Sequence, residues 1–196
     1  MKRPFKKYLH FSLIVIAFLS GYFSNDLRST PHSVPHEQIH PVSLEAVVTR
    51  VVDGDTVVLE SGQRVRLIGV DAPELFDGEK LDRLSRKLKM AKGTLVGLGE
   101  RSKSFLVQFV QGKPVRLEFD HELCDAFGRT LAYLYLKVGT QEVLVNQQII
   151  ADGFATTFRK YSFRHMSQFL QIENKAKQEN KGLWQEQAFL VIQASY

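Results

Sequence analysis

The sequence predicts an α+β domain: a small closed barrel of five β-strands with three helices, preceded by an N-terminal hydrophobic anchor. Three observations lead there. Short runs rich in Val, Ile, Leu and Thr recur between tight turn signals, which is the pattern of strands joined by turns. A long stretch with helical apolar spacing separates the third run from the fourth. A basic and then apolar N-terminus stands apart, behind a proline-bearing linker.

The elements follow in order. Residues 1–23, "MKRPFKKYLHFSLIVIAFLSGYF", begin basic and turn apolar from about Tyr8, as export signals and membrane anchors do. Cleavage wants small residues at −3 and −1. Phe18 before Ser20 and Tyr22 before Ser24 fit poorly, which favours an uncleaved anchor. The basic flank stays in the cytoplasm on this reading, so the rest of the chain is exported and the membrane is a partner; a cleaved leader would release it. Residues 24–41 are a linker with Pro31, Pro35 and Pro41. Its His32, His36 and His40 recur every four residues, but the prolines argue against a helical metal site there.

The folded domain spans residues 42–186. Val42–Val52, Thr56–Glu60 and Gln63–Val70 read as three strands joined by turns at "DGD" and "ESGQ". Leu95, Leu98, Phe105, Leu106 and Phe109 give a helix ending near Gly112. Lys113–Asp120 and Arg129–Lys137 are the last two strands. "EVLVNQQIIADGFA" reads as a short helix, and Phe163 to Lys181 as a polar one. Five strands with a helix between the third and fourth suit a barrel of the oligonucleotide/oligosaccharide-binding kind. Residues 187–196, "AFLVIQASY" included, are set apart as a C-terminal tail with no assigned structure. The net charge of +5 comes largely from the leader: residues 1–40 carry +3 and the remainder +2, so charge alone says little about a nucleic-acid partner. Cys124 is the only cysteine, which excludes an internal disulfide.

Several charges stand where apolar strands should end. Arg66 lies among Val65, Leu67, Ile68 and Val70. Such an arginine is costly unless it is paired or meets an anion; alone, it would read as an edge residue. Asp71 and Glu74 follow in "DAPE", where Pro73 stiffens the strand's exit. A turn aspartate and a solvated glutamate are the plain alternatives. Asp53 and Asp55 flank Gly54. Turn chemistry explains one of them easily, but gathered with Asp71 the carboxylates would repel one another and favour a cation. With no His or Cys nearby, hard oxygen donors point to Ca²⁺ or Mg²⁺. Arg129 follows the "DAFG" turn. Beside Arg66 it would complete a two-arginine phosphate clamp.

"DGDT", "RLIGVDAPE" and "DAFGRTLAYLY", in this order, resemble the staphylococcal nuclease (thermonuclease-like) family over about Leu44 to Trp184. The resemblance implies a Ca²⁺-dependent nuclease of DNA and/or RNA. Asp55, Asp71 and the Ala72 carbonyl would hold Ca²⁺, with Asp53 in support. Glu74 would be the general base for the attacking water, and Arg66 and Arg129 would grip the scissile phosphate. The products implied are 3′-phosphate fragments, and the chain is expected to be a monomer. Phe127 stands where the family has a phosphate-contacting tyrosine, and Tyr161 lies near a second tyrosine position that has no clean match. The loop after Glu74 is longer than the family's and holds Lys80, Arg83, Arg86, Lys87, Lys89 and Lys92. Leu81, Leu84 and Leu88 suggest a short helix there. It either guides substrate electrostatically, with Lys87 and Lys89 as contacts, or is a solvated face. The competing function is a non-catalytic binding module for nucleic acid or protein on the same barrel.

Overall fold

The computed structural model describes residues 43–195, apart from 74 and 77. The leader and the whole linker therefore lie outside the described residues, as does Glu74. No described helix is long and apolar enough to cross a membrane.

Five strands close the expected barrel. β1 (Ser43–Val51) pairs antiparallel with β2 (Thr56–Leu59) and, on its other side, with β5 (Pro114–Glu118). β2 pairs with β3 (Arg64–Leu67), and β5 with β6 (Thr130–Val138). A parallel pairing of β3 with β6 completes the ring, with Val65 opposite Thr130 and Arg66 opposite Leu131. Alternation along the strands fills the interior. Val48, Val57, Leu59, Val65, Leu67, Leu117, Ala132 and Leu134 are essentially inaccessible, while Arg64 and Arg66 between them face outward.

The third strand is shorter than the sequence suggests. Gly69 adopts φ of 77°, and a side chain there would strike the Phe163 ring, so the chain turns at Ile68–Gly69. Val70–Asp71 forms a separate strand, β4, and two further strands were not foreseen. β7 (Gln141–Leu144) extends the sheet beside β6, taking the first residues of the helix expected from Glu142. β8 (Thr156–Thr157) pairs with β4, Asp71 opposite Thr156.

Five α-helices, rather than three, occur among the described residues: α1 (Glu79–Leu88), α2 (Lys92–Val110), α3 (Val145–Ala151), α4 (Met166–Gln178) and α5 (Gln187–Ala194). The short basic helix suggested after Glu74 is α1. The segment without an assigned structure is α5. Leu81 of α1, Leu95 and Leu98 of α2, Trp184, and Phe189 and Ile192 of α5 form a second apolar cluster beside the barrel core.

Asn146 of α3, wholly buried, fixes how the strands leave the barrel. Its amide oxygen accepts from the Leu134 N–H at 2.9 Å, and its amide nitrogen donates to the Ile68 and Ala132 carbonyls at 2.9 and 3.1 Å. The turn that delivers β4 is thereby tied to β6 and α3.

Candidate active site

The 53–55 turn presses close to its surroundings. A β-carbon on Gly54 would collide with the Ser102 hydroxyl and the Ala72 β-carbon, so only glycine lets the turn reach α2 and the chain after β4. Asp53 Oδ1 accepts from the Asp55 N–H at 3.0 Å, and the Leu67 N–H donates to the Asp55 carbonyl at 2.8 Å. Asp55 is thus pinned against β3, only 6% exposed.

There it meets Arg66. The guanidinium forms an ion pair with Asp55 Oδ1 and donates to the Val70 carbonyl at 3.2 Å. Its Cζ lies 5.7 Å from the Phe158 ring centroid. Burial pulls the Arg66 pKa down, but the Asp55 carboxylate outweighs it and the net shift is upward. Asp55 Oδ2 accepts from the Ala72 N–H at 3.3 Å, so the chain after β4 is held on the same carboxylate.

Arg129 enters from the other side. The 125–129 loop folds around the Asp125 carboxylate, which accepts from the Phe127 and Arg129 N–H groups at 2.9 and 3.0 Å and from Arg129 Nε at 2.7 Å. Burial raises the Asp125 pKa, but these bonds from Arg129 and Phe127 win and hold it below its ordinary value. Arg129 Nη1 reaches Thr56 Oγ1 at 3.5 Å, and that hydroxyl donates to Asp55 Oδ1 at 2.9 Å. A continuous polar chain therefore runs Arg66, Asp55, Thr56, Arg129. Each guanidinium has five N–H donors, more than these contacts use, which leaves capacity for an anion.

Asp53, Asp55 and Asp71 press on one another. Asp53 is pushed up to about 6 by burial and by the Asp55 charge. Asp71 is raised for the same two reasons, against the opposing pull of Lys80, Arg66 and Lys160. Among the described residues, no group of three or more His, Cys, Asp or Glu could hold a metal by itself. The donor chemistry nevertheless fits a hard cation: two carboxylates, Asp55 and Asp71, with a backbone carbonyl nearby, in a site where the Asp55 charge helps to raise both Asp53 and Asp71. A consequence is testable in metal-free protein. Asp53 stays protonated to higher pH folded than unfolded, so stability falls as pH rises from about 4 through about 6. Asp53→Asn keeps the acceptor for the Asp55 N–H and removes that loss. The variant should exceed wild type by about 3 kcal/mol at pH 7 and match it near pH 4 in melting experiments.

The other expected contacts are placed as follows. Phe127 is 83% exposed, its ring centroid 5.5 Å from the Arg129 Cζ. Tyr161 is 69% exposed, its ring 5.9 Å from that of Phe158, which faces Arg66. Each arginine thus has an aromatic neighbour. Lys87 Nζ donates to the Ser195 carbonyl at 2.7 Å, joining α1 to the end of α5, while Lys89 is exposed in a left-handed conformation just after α1. Lys92 forms an ion pair with Asp82, so α1 spends part of its basic complement within the fold. Two participants were not singled out from the sequence. Thr56 read only as the start of a strand, and Asp125 only as a turn residue; their roles depend on β2 and the 125–129 loop meeting across the barrel seam.

Comparison with known proteins agrees with this fold. The family model described as "Staphylococcal nuclease homologue" matches residues 64–186. An uncharacterised protein of Methanocaldococcus jannaschii is 31% identical over 149 residues, 70% of each chain. The thermonuclease of Staphylococcus hyicus is 25% identical over 177 residues, covering 88% of this chain and 91% of its own. That of Staphylococcus intermedius is 28% identical over 143 residues, 71% of this chain and 75% of its own. With a closed five-stranded barrel, an arginine pair joined at its seam, and a family match over most of the folded part, the chain belongs to the staphylococcal nuclease homologue family.

Proposed function

We propose that the chain is a Ca²⁺-dependent nuclease that hydrolyses phosphodiester bonds of DNA, RNA or both and leaves 3′-phosphate ends. The observation that carries this reading is the link from Arg66 through Asp55 and Thr56 to Arg129, which brings two guanidiniums and a buried carboxylate together at one end of the barrel. The arginines bind the oxygens of the scissile phosphate and stabilise the charge that develops on them. Glu74, assigned by family resemblance, takes the proton of the attacking water. Asp55, Asp71 and the Ala72 carbonyl are the residues that would hold Ca²⁺, with Asp53 supporting Asp55 through its backbone N–H. The bound ion would supply Lewis-acid polarisation of the phosphate. Phe127 and Tyr161 offer exposed rings for flanking bases. The thermonuclease names of two relatives support the activity.

The test is incubation of the purified chain with single-stranded DNA, duplex DNA and RNA under Ca²⁺, Mg²⁺ or chelator. Glu74→Ala and Arg66→Ala serve as controls. Cleavage that needs Ca²⁺ and is lost in both variants is the expected result. Binding without cleavage under every metal would assign the barrel to the non-catalytic module instead. The proposal includes a monomer, exported and held by its leader with the barrel outside the cytoplasm, or released if the leader is cut. Protease accessibility in intact cells checks the topology, and the fraction in which the chain appears checks anchoring.

A further inference from the structure

Two arginines outside the site above stand in line with it. Arg50 of β1 is paired with Val58 of β2, and Val58 in turn with Arg64 of β3. Directly paired residues share a face of a sheet. The flanking positions Val51, Val57 and Val65 are buried, so Arg50, Val58 and Arg64 lie on the outer face, and Arg50 and Arg64 are exposed there. Arg64 and Arg129 each stand one residue before the paired Val65 and Thr130. Arg64 therefore lies beside Arg129 across the seam, and Arg66 follows two residues on, about 6.6 Å along the strand. Among the described residues, neither Arg50 nor Arg64 has a carboxylate partner, whereas Arg66 and Arg129 do. Arg50 and Arg64 thus extend the positive charge of the paired arginines across three strands, with no carboxylate among the described residues to neutralise them.

A groove of about 650 Å³ opens along one end of this row. Gln63, Arg64, Cys124, Phe127, Arg129 and Thr130 line it. Gln63 Nε2 donates to Thr130 Oγ1 at 2.5 Å, joining two of its lining residues. Its volume lies within the range of small-ligand sites. Its lining includes the exposed Phe127 ring and the Arg64 guanidinium, the pairing that a nucleotide unit needs: a face for the base and a cation for the phosphate.

We infer that Arg64 and Arg50 form a binding track for the sugar–phosphate backbone of a polynucleotide, continuing outward from Arg129, with the groove between Arg64 and Phe127 taking the first nucleotide beyond the cleaved bond. The inference rests on the nuclease reading and adds a preference for longer substrates. The contacts are to phosphates, so the preference is indifferent to base sequence.

The experiment uses the full chain with a 20-residue oligothymidylate and with a thymidine dinucleotide. Binding of the fluorescent oligomer is followed by anisotropy in chelator across a salt series, and cleavage of both substrates is followed in Ca²⁺. The variants are Arg50→Glu/Arg64→Glu, the milder Arg50→Gln/Arg64→Gln, and a Lys137→Glu/Lys175→Glu control with the same change in net charge. The track predicts that the glutamate variant binds the oligomer about tenfold more weakly, with KM raised to match. The slope of log affinity against log salt should fall by about 1.4, two single-strand phosphate contacts. Its kcat and its melting temperature should equal those of wild type. Its KM for the dinucleotide should rise less than its KM for the oligomer, because the dinucleotide carries no phosphates to lie along the track. The glutamine variant should show a smaller change of the same kind. A wild type that cleaves while both arginine variants match it in affinity, KM and salt slope overturns the track alone. So does an equal loss in the lysine control. A wild type that neither binds nor cleaves overturns the nuclease reading and the track together.

Discussion

Arg66→Ala and Arg129→Ala should each lower kcat by about 10²–10⁴-fold, yet differ sharply in what they do to the fold. Both would remove a donor from the phosphate, so their catalytic losses should be alike. Their partners are unlike. Asp55 is 6% exposed and relies on Arg66 as its counter-ion. Removing the guanidinium leaves a buried carboxylate uncompensated, a change that costs about 3–5 kcal/mol where it has been measured. Asp125 lies in an outer loop and keeps the Phe127 and Arg129 N–H groups after Arg129 is truncated, so that loss should stay under about 1 kcal/mol. Arg66→Lys should regain more stability than activity, because an ammonium restores the charge but not the two-pronged geometry. Urea titration alongside single-turnover cleavage separates the two effects. An Arg129→Ala enzyme with wild-type kcat would remove that residue from the site.

Phe189→Ala should be the most damaging single change outside the barrel. Phe189 is fully buried and meets Trp184 edge-on, with centroids 4.9 Å apart and planes at 72°. Truncating such a ring costs about 3–5 kcal/mol. The damage should reach the active site, because α5 does more than fill space. Ile192 and Gln193 of α5, Lys80 and Leu84 of α1, and Leu95 of α2 surround a small cavity against Asp71, Ala72 and Pro73. Loosening α5 frees this backing to the chain that carries Asp71. On the proposed Ca²⁺-dependent reading, the variant should therefore need more Ca²⁺ for half-maximal cleavage at a temperature where it is still folded. A calcium titration equal to wild type would show that α5 supports the fold without supporting the site.

The barrel strands were legible because burial on one face imposes a period of two, and Val, Ile and Leu keep that period from β1 to β6. The charged residues were legible because they interrupt it. What escaped depends on contacts distant in sequence. The break after Leu67 follows from Gly69 meeting the Phe163 ring, and nothing in "RLIGVD" announces that ring. The pairing of β4 with β8 joins two-residue strands too short to carry any period. α5 is apolar over most of its surface, so its spacing could not separate helix from strand. Lys87 was read as a candidate substrate contact because a basic side chain on an amphipathic helix gives no hint that its ammonium reaches Ser195, 108 residues on.

The parallel seam between β3 and β6 has a consequence for when activity can first appear. It joins Val65 to Thr130, so a loop holding more than half of the barrel's chain must close before that ladder can form. Long-range pairing of this kind forms slowly, because loop closure precedes any gain from contact. Arg66 and Arg129 flank the seam, one on each side. Before closure, the two guanidiniums belong to unconnected stretches of polypeptide and cannot share a phosphate. On the proposed reading, a nascent, translocating or proteolytically opened chain is catalytically silent, and the topology of the barrel itself serves as the latch that would spare nucleic acid met before folding is complete.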